Sequence, residues 1–277
     1  MSANKEAAPA LEVHNLTATY DRQPVLWDID FSLPEGSLAG ILGPNGSGKT
    51  TLLRNIMGLM QPDSGYVRLL GQDLAKVRAQ VSYVPQRESV DWNFPVSVSE
   101  VVAMGRYGPG KLLRRLRRQD RDIIEEAMER TGILPLAHRH ISQLSGGQQQ
   151  RVFIARALAQ QAQIYLMDEP FVGVDAATEE AILNLLGEMK NRGHTVIMVH
   201  HDLQTAQDFF DQAVLLQTRL VAAGPVETVL NKENLQQAYG GRLNVLSKVG
   251  QLAAEKQFPL REKAFRERKK PAHGESD

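Results

Sequence analysis

The chain has 277 residues, 42% of them apolar, enough to bury one sizeable core with room for an inserted subdomain. Basic and acidic residues number 32 each, which argues against a general nucleic-acid binder, and the absence of cysteine removes disulfides and thiolate metal sites and suits a reducing cytoplasm. No apolar run approaches the roughly 18 to 20 residues of a membrane span, and MSANKEAAPALEV lacks the apolar core of a signal peptide, so work at a membrane is expected to need a span from another chain.

Residues 1–10 are expected to be a flexible terminus. Leu11 to Phe31 alternates apolar and polar positions, broken at Asp21 to Pro24, and predicts two antiparallel strands. Tyr20 ends the first, where an aromatic ring suits either stacking on a purine or core packing. Ser37 to Leu42 (SLAGIL) is a short apolar run suited to a buried strand, and Lys49 to Leu59 repeats apolar residues at helical spacing. Between them Gly43, Pro44, Asn45, Gly46, Ser47, Gly48, Lys49 and Thr50, followed by Thr51, fit the phosphate-binding pattern G-x-x-x-x-G-K-[ST] at every fixed position. Gly43, Gly46 and Gly48 permit a backbone that turns several N–H groups inward, and the helix behind adds its positive end. Lys49 is then a point charge for the β- and γ-phosphates, and the Thr50 hydroxyl is a ligand for Mg2+; the nucleotide is ATP or GTP. Pro62 to Gly65 predicts a turn and Tyr66 to Gly71 a further hairpin, while Val81 to Pro85 is a short strand that delivers Gln86.

From Arg87 to Gln143 the pattern becomes helical and charged, as in DRDIIEEAMER from Asp120 to Arg130, and predicts a helical subdomain inserted between strands. The basic run Lys111 to Arg121 is expected to be a solvated helix face, with lipid headgroups or an acidic partner as the alternative. LSGGQ at Leu144 to Gln148 starts another helix running to about Gln160. Ile164 to Met167 is a buried strand that carries Asp168 and Glu169 at its carboxyl end, the usual ligand position of an open α/β sheet. Helix Thr178 to Asn191, strand Thr195 to Val199 and helix Leu203 to Phe210 continue an alternation that implies a largely parallel sheet. The charged tail from about Ala254 is expected to be a loose helix followed by disorder.

One carboxylate of the Asp168–Glu169 pair suits a metal ion, and the other suits polarising an attacking water. Gln86 can orient a water or a Mg2+ ligand through its amide. Ser145, Gly146 and Gly147 at a helix start form a second anion nest, which one nucleotide does not need from the same chain. With LSGGQ joined to these motifs in order, the sequence resembles the nucleotide-binding subunits of ABC transporters over about Leu11 to Gly241.

That resemblance implies a head-to-tail homodimer in which the phosphate loop of one subunit and Ser145, Gly146, Gly147 and Gln148 of the other enclose each ATP with Mg2+. It makes Asp168 a metal ligand and Glu169 the residue that activates water. It also makes Tyr20 the adenine-stacking aromatic and Gln86 the link between γ-phosphate and permease contact, while Asp175 becomes the cross-dimer aspartate and His201 the switch histidine. The loop reads Val172, Gly173, Val174, Asp175 where the commoner form begins S-A-L-D, so only the aspartate is carried over. His200 and His201 both precede Asp202; His201, adjacent to it, takes the role, and His200 reads as packing.

The stretch VDWNFPVSVSEVVAMGRYG, with PFVGVDAATE and VHHDLQT, resembles importers of manganese, zinc and iron, manganese favoured. Trp92, Phe94 and Pro95 offer rigid apolar surface for a permease loop. Seven histidines, His138 and His140 included, show no ligand spacing with further donors and read as surface residues. The expected architecture is α/β: a P-loop NTPase core with a mainly parallel sheet, an N-terminal antiparallel β layer and an α-helical subdomain at about 87–160, all within 11–241, followed by a partly disordered 242–277 extension. The expected partners are membrane permease subunits and a separate substrate-binding protein, without nucleic acid, at the cytoplasmic face of the inner membrane. The rivals are a non-transport ABC ATPase acting on DNA or ribosomes and a soluble phosphotransferase. The single phosphate loop, the balanced charge and the second phosphate nest weigh against them.

Overall fold

The computed structural model describes residues 9–20, 23–107 and 115–240. In chain order its strands are β1 (Pro9–Tyr20), β2 (Gln23–Pro34), β3 (Leu38–Leu42), β4 (Ser64–Leu69), β5 (Val81–Val84), β6 (Ile164–Asp168), β7 (Thr195–Val199), β8 (Gln212–Gln217) and β9 (Arg219–Pro225). The α-helices are α1 (Lys49–Ile56), α2 (Leu74–Val77), α3 (Val98–Ala103), α4 (Arg118–Arg130), α5 (Gly146–Ala159), α6 (Ala176–Asn191), α7 (Leu203–Phe209), α8 (Val226–Val229) and α9 (Lys232–Tyr239).

Two sheets result. One is antiparallel in the order β2-β1-β4; the other runs β5-β6-β7-β3-β8-β9, parallel except for β9, which returns antiparallel along β8. Strands β3, β6 and β7 are buried at all five positions, as expected of a parallel sheet covered on both faces. Alternation divides their side chains between two cores. Ile164 and Leu166 of β6 join Leu52, Leu53 and Ile56 of α1 and the inner face of the antiparallel sheet. Tyr165 and Met167 point the other way, to a core shared with α5 and α6.

Because β6, β7 and β3 are neighbours with the same direction, the loops after them emerge at one edge. That edge carries the Gly43 loop, the Asp168–Glu169 pair and His200–His201, the crevice position of open α/β folds. Helices α3, α4 and α5 are inserted between β5 and β6, as the charged helical stretch implied.

Several expectations need correction. Tyr66 to Leu70 does not open its own hairpin: β4 pairs with β1, Leu11 opposite Leu69 and His14 opposite Tyr66, because β1 is the strand with an unpaired edge and an apolar inner face to extend. β1 begins at Pro9, inside the segment expected to be flexible, and Ala10 is fully buried. Trp92 is half-buried against Phe153, ring centroids 5.1 Å apart, and its indole N–H donates to the Arg87 carbonyl at 2.9 Å, so it is part of the packing rather than free docking surface; Phe94 is the exposed aromatic there. Of the basic run, Arg115, Arg117, Arg118 and Arg121 are exposed, while residues 111–114 lie outside the described residues, as does the extension from 241 onward. Among the described residues, no helix is long and apolar enough to cross a membrane.

Candidate active site

The phosphate loop is held from behind. Gly43 has φ +147°, and a Cβ there would lie 2.3 Å from the Leu216 carbonyl oxygen and 2.6 Å from Ser47 Oγ, so only glycine fits. The Ser47 N–H donates to Pro44 O at 3.1 Å, and the Ser47 carbonyl accepts from Thr218 N at 3.0 Å, fastening the loop to the β8–β9 turn. Lys49, buried, donates from Nζ to the carbonyls of Gly43 at 2.9 Å and Pro44 at 3.0 Å, which aims its ammonium along the loop. Gly48 caps α1, and no acidic residue occupies its first turn, leaving the positive helix end to a ligand.

A cavity of about 350 Å³ opens in front of this loop, lined by Asn45, Gly46, Gly48, Lys49, Thr50, Thr51, Glu169 and Val25. Asp168, 2% exposed, accepts from Thr50 Oγ1 at 3.3 Å. Burial first, and then the Glu169 charge, push the Asp168 carboxyl above its ordinary value, with Thr50, Arg54 and Lys49 opposing. Burial lowers Lys49, and the two carboxylates oppose that shift. The Glu169 charge raises Asp168 because the two carboxylates repel each other, a repulsion that a bound divalent cation would relieve. Glu169 sits at φ +47°, in the left-handed region that costs a non-glycine residue about 1–3 kcal/mol and tends to mark functional turns. Its Oε2 accepts from Gln86 Nε2 at 3.2 Å.

The structure therefore brings together the phosphate loop, Thr50, Thr51, Gln86, Asp168 and Glu169. Tyr20 is 44% exposed at the hairpin end, paired with Gln23, on the strand pair whose Val25 lines the cavity. Ser47 is not among the residues lining this cavity; it borders a second cavity of about 310 Å³ with Gln217, Thr218 and Tyr239, and its hydroxyl is buried beside Gly43. His201 is exposed after β7. His200, 2% exposed, lies edge-on between Phe171 and Phe210 at 5.5 Å from each ring; burial brings it from 6.5 to about 4, with His201 adding to the shift and Asp202 opposing it. The sequence reading of His200 as packing matches this position.

The other half of the predicted site stands apart. Ser145 caps α5 in a capping box with Gln148: Ser145 N donates to Gln148 Oε1 at 3.0 Å and Gln148 N to Ser145 Oγ at 3.4 Å. As an acceptor there, the serine hydroxyl keeps its own proton for an outside acceptor. Asp175 caps α6, accepting from Thr178 N and Thr178 Oγ1, both at 2.9 Å, and these bonds hold its carboxyl below the ordinary value. Neither Ser145 to Gln148 nor Asp175 lines the cavity in front of the phosphate loop.

Three residues escaped the sequence reading. Val25 lines the cavity, Tyr239 of α9 backs the phosphate loop, and Arg87 bridges the Gln86 turn to α5 through a bond from Nε to Gln149 Oε1 at 2.9 Å. All three depend on tertiary placement, since Val25, Tyr239 and Arg87 meet their neighbours only across elements distant in sequence. His138 and His140 are exposed.

The profile of the ABC transporter family matches residues 26–172. The sequence is 55% identical to the manganese transport system ATP-binding protein MntB of Bacillus subtilis (strain 168), over 85% of this chain and 94% of that protein. It is 50% identical to the zinc transport system ATP-binding protein TroB of Treponema pallidum (strain Nichols), over 88% of this chain and 92% of that protein. Among solved structures, cbiO1 from Clostridium perfringens, part of the ABC transporter complex cbiONQ, is similar at a TM-score of 0.71 and 27% identity, covering 89% of this chain and 99% of that one. A phosphate loop facing two carboxylates, a separate LSGGQ helix and this degree of likeness place the chain in the ABC transporter family, as a nucleotide-binding ATPase subunit.

Proposed function

We propose that this chain hydrolyses ATP to power a membrane importer of a divalent metal ion, manganese first and zinc or an iron chelate next. It would work as a homodimer at the cytoplasmic face of the membrane, docked on permease subunits that receive the ion from a separate substrate-binding protein. The observation that carries this reading is the separation of the site into two parts. The catalytic carboxylates face the phosphate loop, whereas Ser145 to Gln148 and Asp175 lie outside that cavity, available to a second copy.

The all-oxygen pair of Thr50 Oγ1 and Asp168 Oδ1, 3.3 Å apart beside the Glu169 carboxylate, suits Mg2+, with Gln86 joined to the site through its bond to Glu169. Bound with Mg2+, ATP supplies the phosphoanhydride bond and the metal its charge neutralisation. The chain's own groups divide the remaining work. Tyr20 supports adenine, and the loop amides, Thr51 and Lys49 hold the phosphates. Glu169 takes the proton of the attacking water, and His201 and Gln86 report on the γ-phosphate. The partner's half-site closes the space, excludes water and adds the second nest. The manganese preference follows the relative named for manganese transport, with the zinc-named relative next.

Uptake of labelled manganese, zinc and iron in cells lacking this chain tests the reading. Manganese accumulation should fall and return with the wild-type chain but not with Lys49→Ala. Unchanged uptake of all three ions would contradict it.

A further inference from the structure

Gln86 and the LSGGQ helix belong to different halves of the split site, yet Arg87 joins them. Its backbone follows Gln86, whose amide holds Glu169. From Nε it donates to Oε1 of Gln149, which is 5% exposed and is fixed in turn by Nε2 donating to Ile141 O at 3.2 Å and N donating to Ser145 O at 2.9 Å. The guanidinium sits close against two glycines. A Cβ on Gly146 would stand 3.0 Å from Nη1 and 3.1 Å from Cζ, and a Cβ on Gly173 would stand 3.4 Å from Nη1. Gly146 is the first residue of α5, and Gly173 belongs to the loop that ends at Asp175. A second strut runs from the Arg87 carbonyl through the Trp92 indole N–H to the Phe153 ring on α5.

We propose that Arg87 is a positioning residue that keeps the start of α5 and the Asp175 loop in register with Gln86, so that the half-site offered to a partner copy follows the state of the chain's own γ-phosphate pocket. The inference rests on the dimer reading above. A planar guanidinium suits the task because one face can cover both glycine backbones while Nε bonds in the plane, a geometry an ammonium lacks. Arg87 is not among the residues lining the phosphate cavity, so its loss should leave the chain's own nucleotide contacts in place.

The full-length chain tests this in two backgrounds. In wild type, Arg87→Ala should leave monomer affinity for a fluorescent ATP analogue within about twofold, lower kcat by about tenfold and bring the Hill coefficient for ATP towards one, the scale expected from losing one charged hydrogen bond. In a Glu169→Gln background, the ATP concentration for half-maximal dimerisation should rise by a similar factor. Arg87→Lys should recover only part of both effects, and Gln149→Ala should reproduce them, which keeps the test open if Arg87→Ala folds poorly. Failure of the Glu169→Gln parent to dimerise would strike the dimer reading itself. A parent that dimerises, with folded Arg87 and Gln149 variants that match it in kcat and in dimerisation, overturns the role of Arg87.

Discussion

Asp168 and Glu169 are adjacent in sequence but face different work: Asp168 closes on the Thr50 hydroxyl inside the fold, while Glu169, at φ +47°, turns to the Gln86 amide at the cavity. The left-handed kink at Glu169 separates the two carboxylates, a division that suits the proposed roles of one in holding a cation and the other in activating water.

Glu169→Gln preserves size and removes the proton acceptor. Steady-state ATP turnover should fall by about 10² to 10⁴, the usual range for a general base, while ATP affinity persists. Turnover equal to wild type would remove Glu169 from its role.

Lys49→Ala removes a buried ammonium that bridges the Gly43 and Pro44 carbonyls as well as the charge that meets the phosphates. Nucleotide affinity measured by titration calorimetry should fall by about 100-fold or more, since hydrogen bonds between charged groups are the strong ones. Wild-type affinity in this variant would contradict the phosphate-loop assignment.

Trp92 and Phe94 separate packing from docking. Trp92→Ala removes a half-buried ring edge-on to Phe153 and a hydrogen bond, and should cost about 2 kcal/mol in denaturant unfolding. Phe94, 57% exposed, should tolerate alanine without a stability change while weakening co-purification of permease subunits. The reverse pattern, a stable Trp92→Ala and an unstable Phe94→Ala, would show the two placements to be exchanged.

His200 links stability to pH. Its folded pKa of about 4 lies below the unfolded 6.5, so between those values the unfolded chain binds the extra proton. Its contribution is full above pH 6.5, falls as pH drops towards 4 and levels off below, amounting to about 3 kcal/mol at most. His200→Leu, between Phe171 and Phe210, should flatten that part of the stability curve; a slope equal to wild type would assign the pH dependence to other groups.

The proposed catalytic half of the site could be drawn from the sequence because its pattern is written locally. Gly43 to Thr50 carries its glycines, lysine and hydroxyl within one turn, and Asp168–Glu169 ends a run of four apolar residues. Strands β3, β6 and β7 were equally plain as short buried runs between glycines and charges. β4 was misread because its partner, β1, is remote in sequence, and a pairing between distant strands leaves no periodic trace. β8 and β9 received no expectation, although Ala213 to Leu216 is an apolar run of strand length. Arg87, Tyr239 and Trp92 show the same limit: each takes its meaning from a neighbour supplied by another element, Gln149, Ser47 or Phe153.

The most direct test of the split site is the solution mass of the full-length Glu169→Gln chain by light scattering, with and without saturating Mg-ATP. The mass should double with ATP and return to that of one chain in the Ser145→Arg variant, whose bulk would block the signature half-site. A single-chain mass at saturating ATP, even with the permease subunits present, would contradict the account.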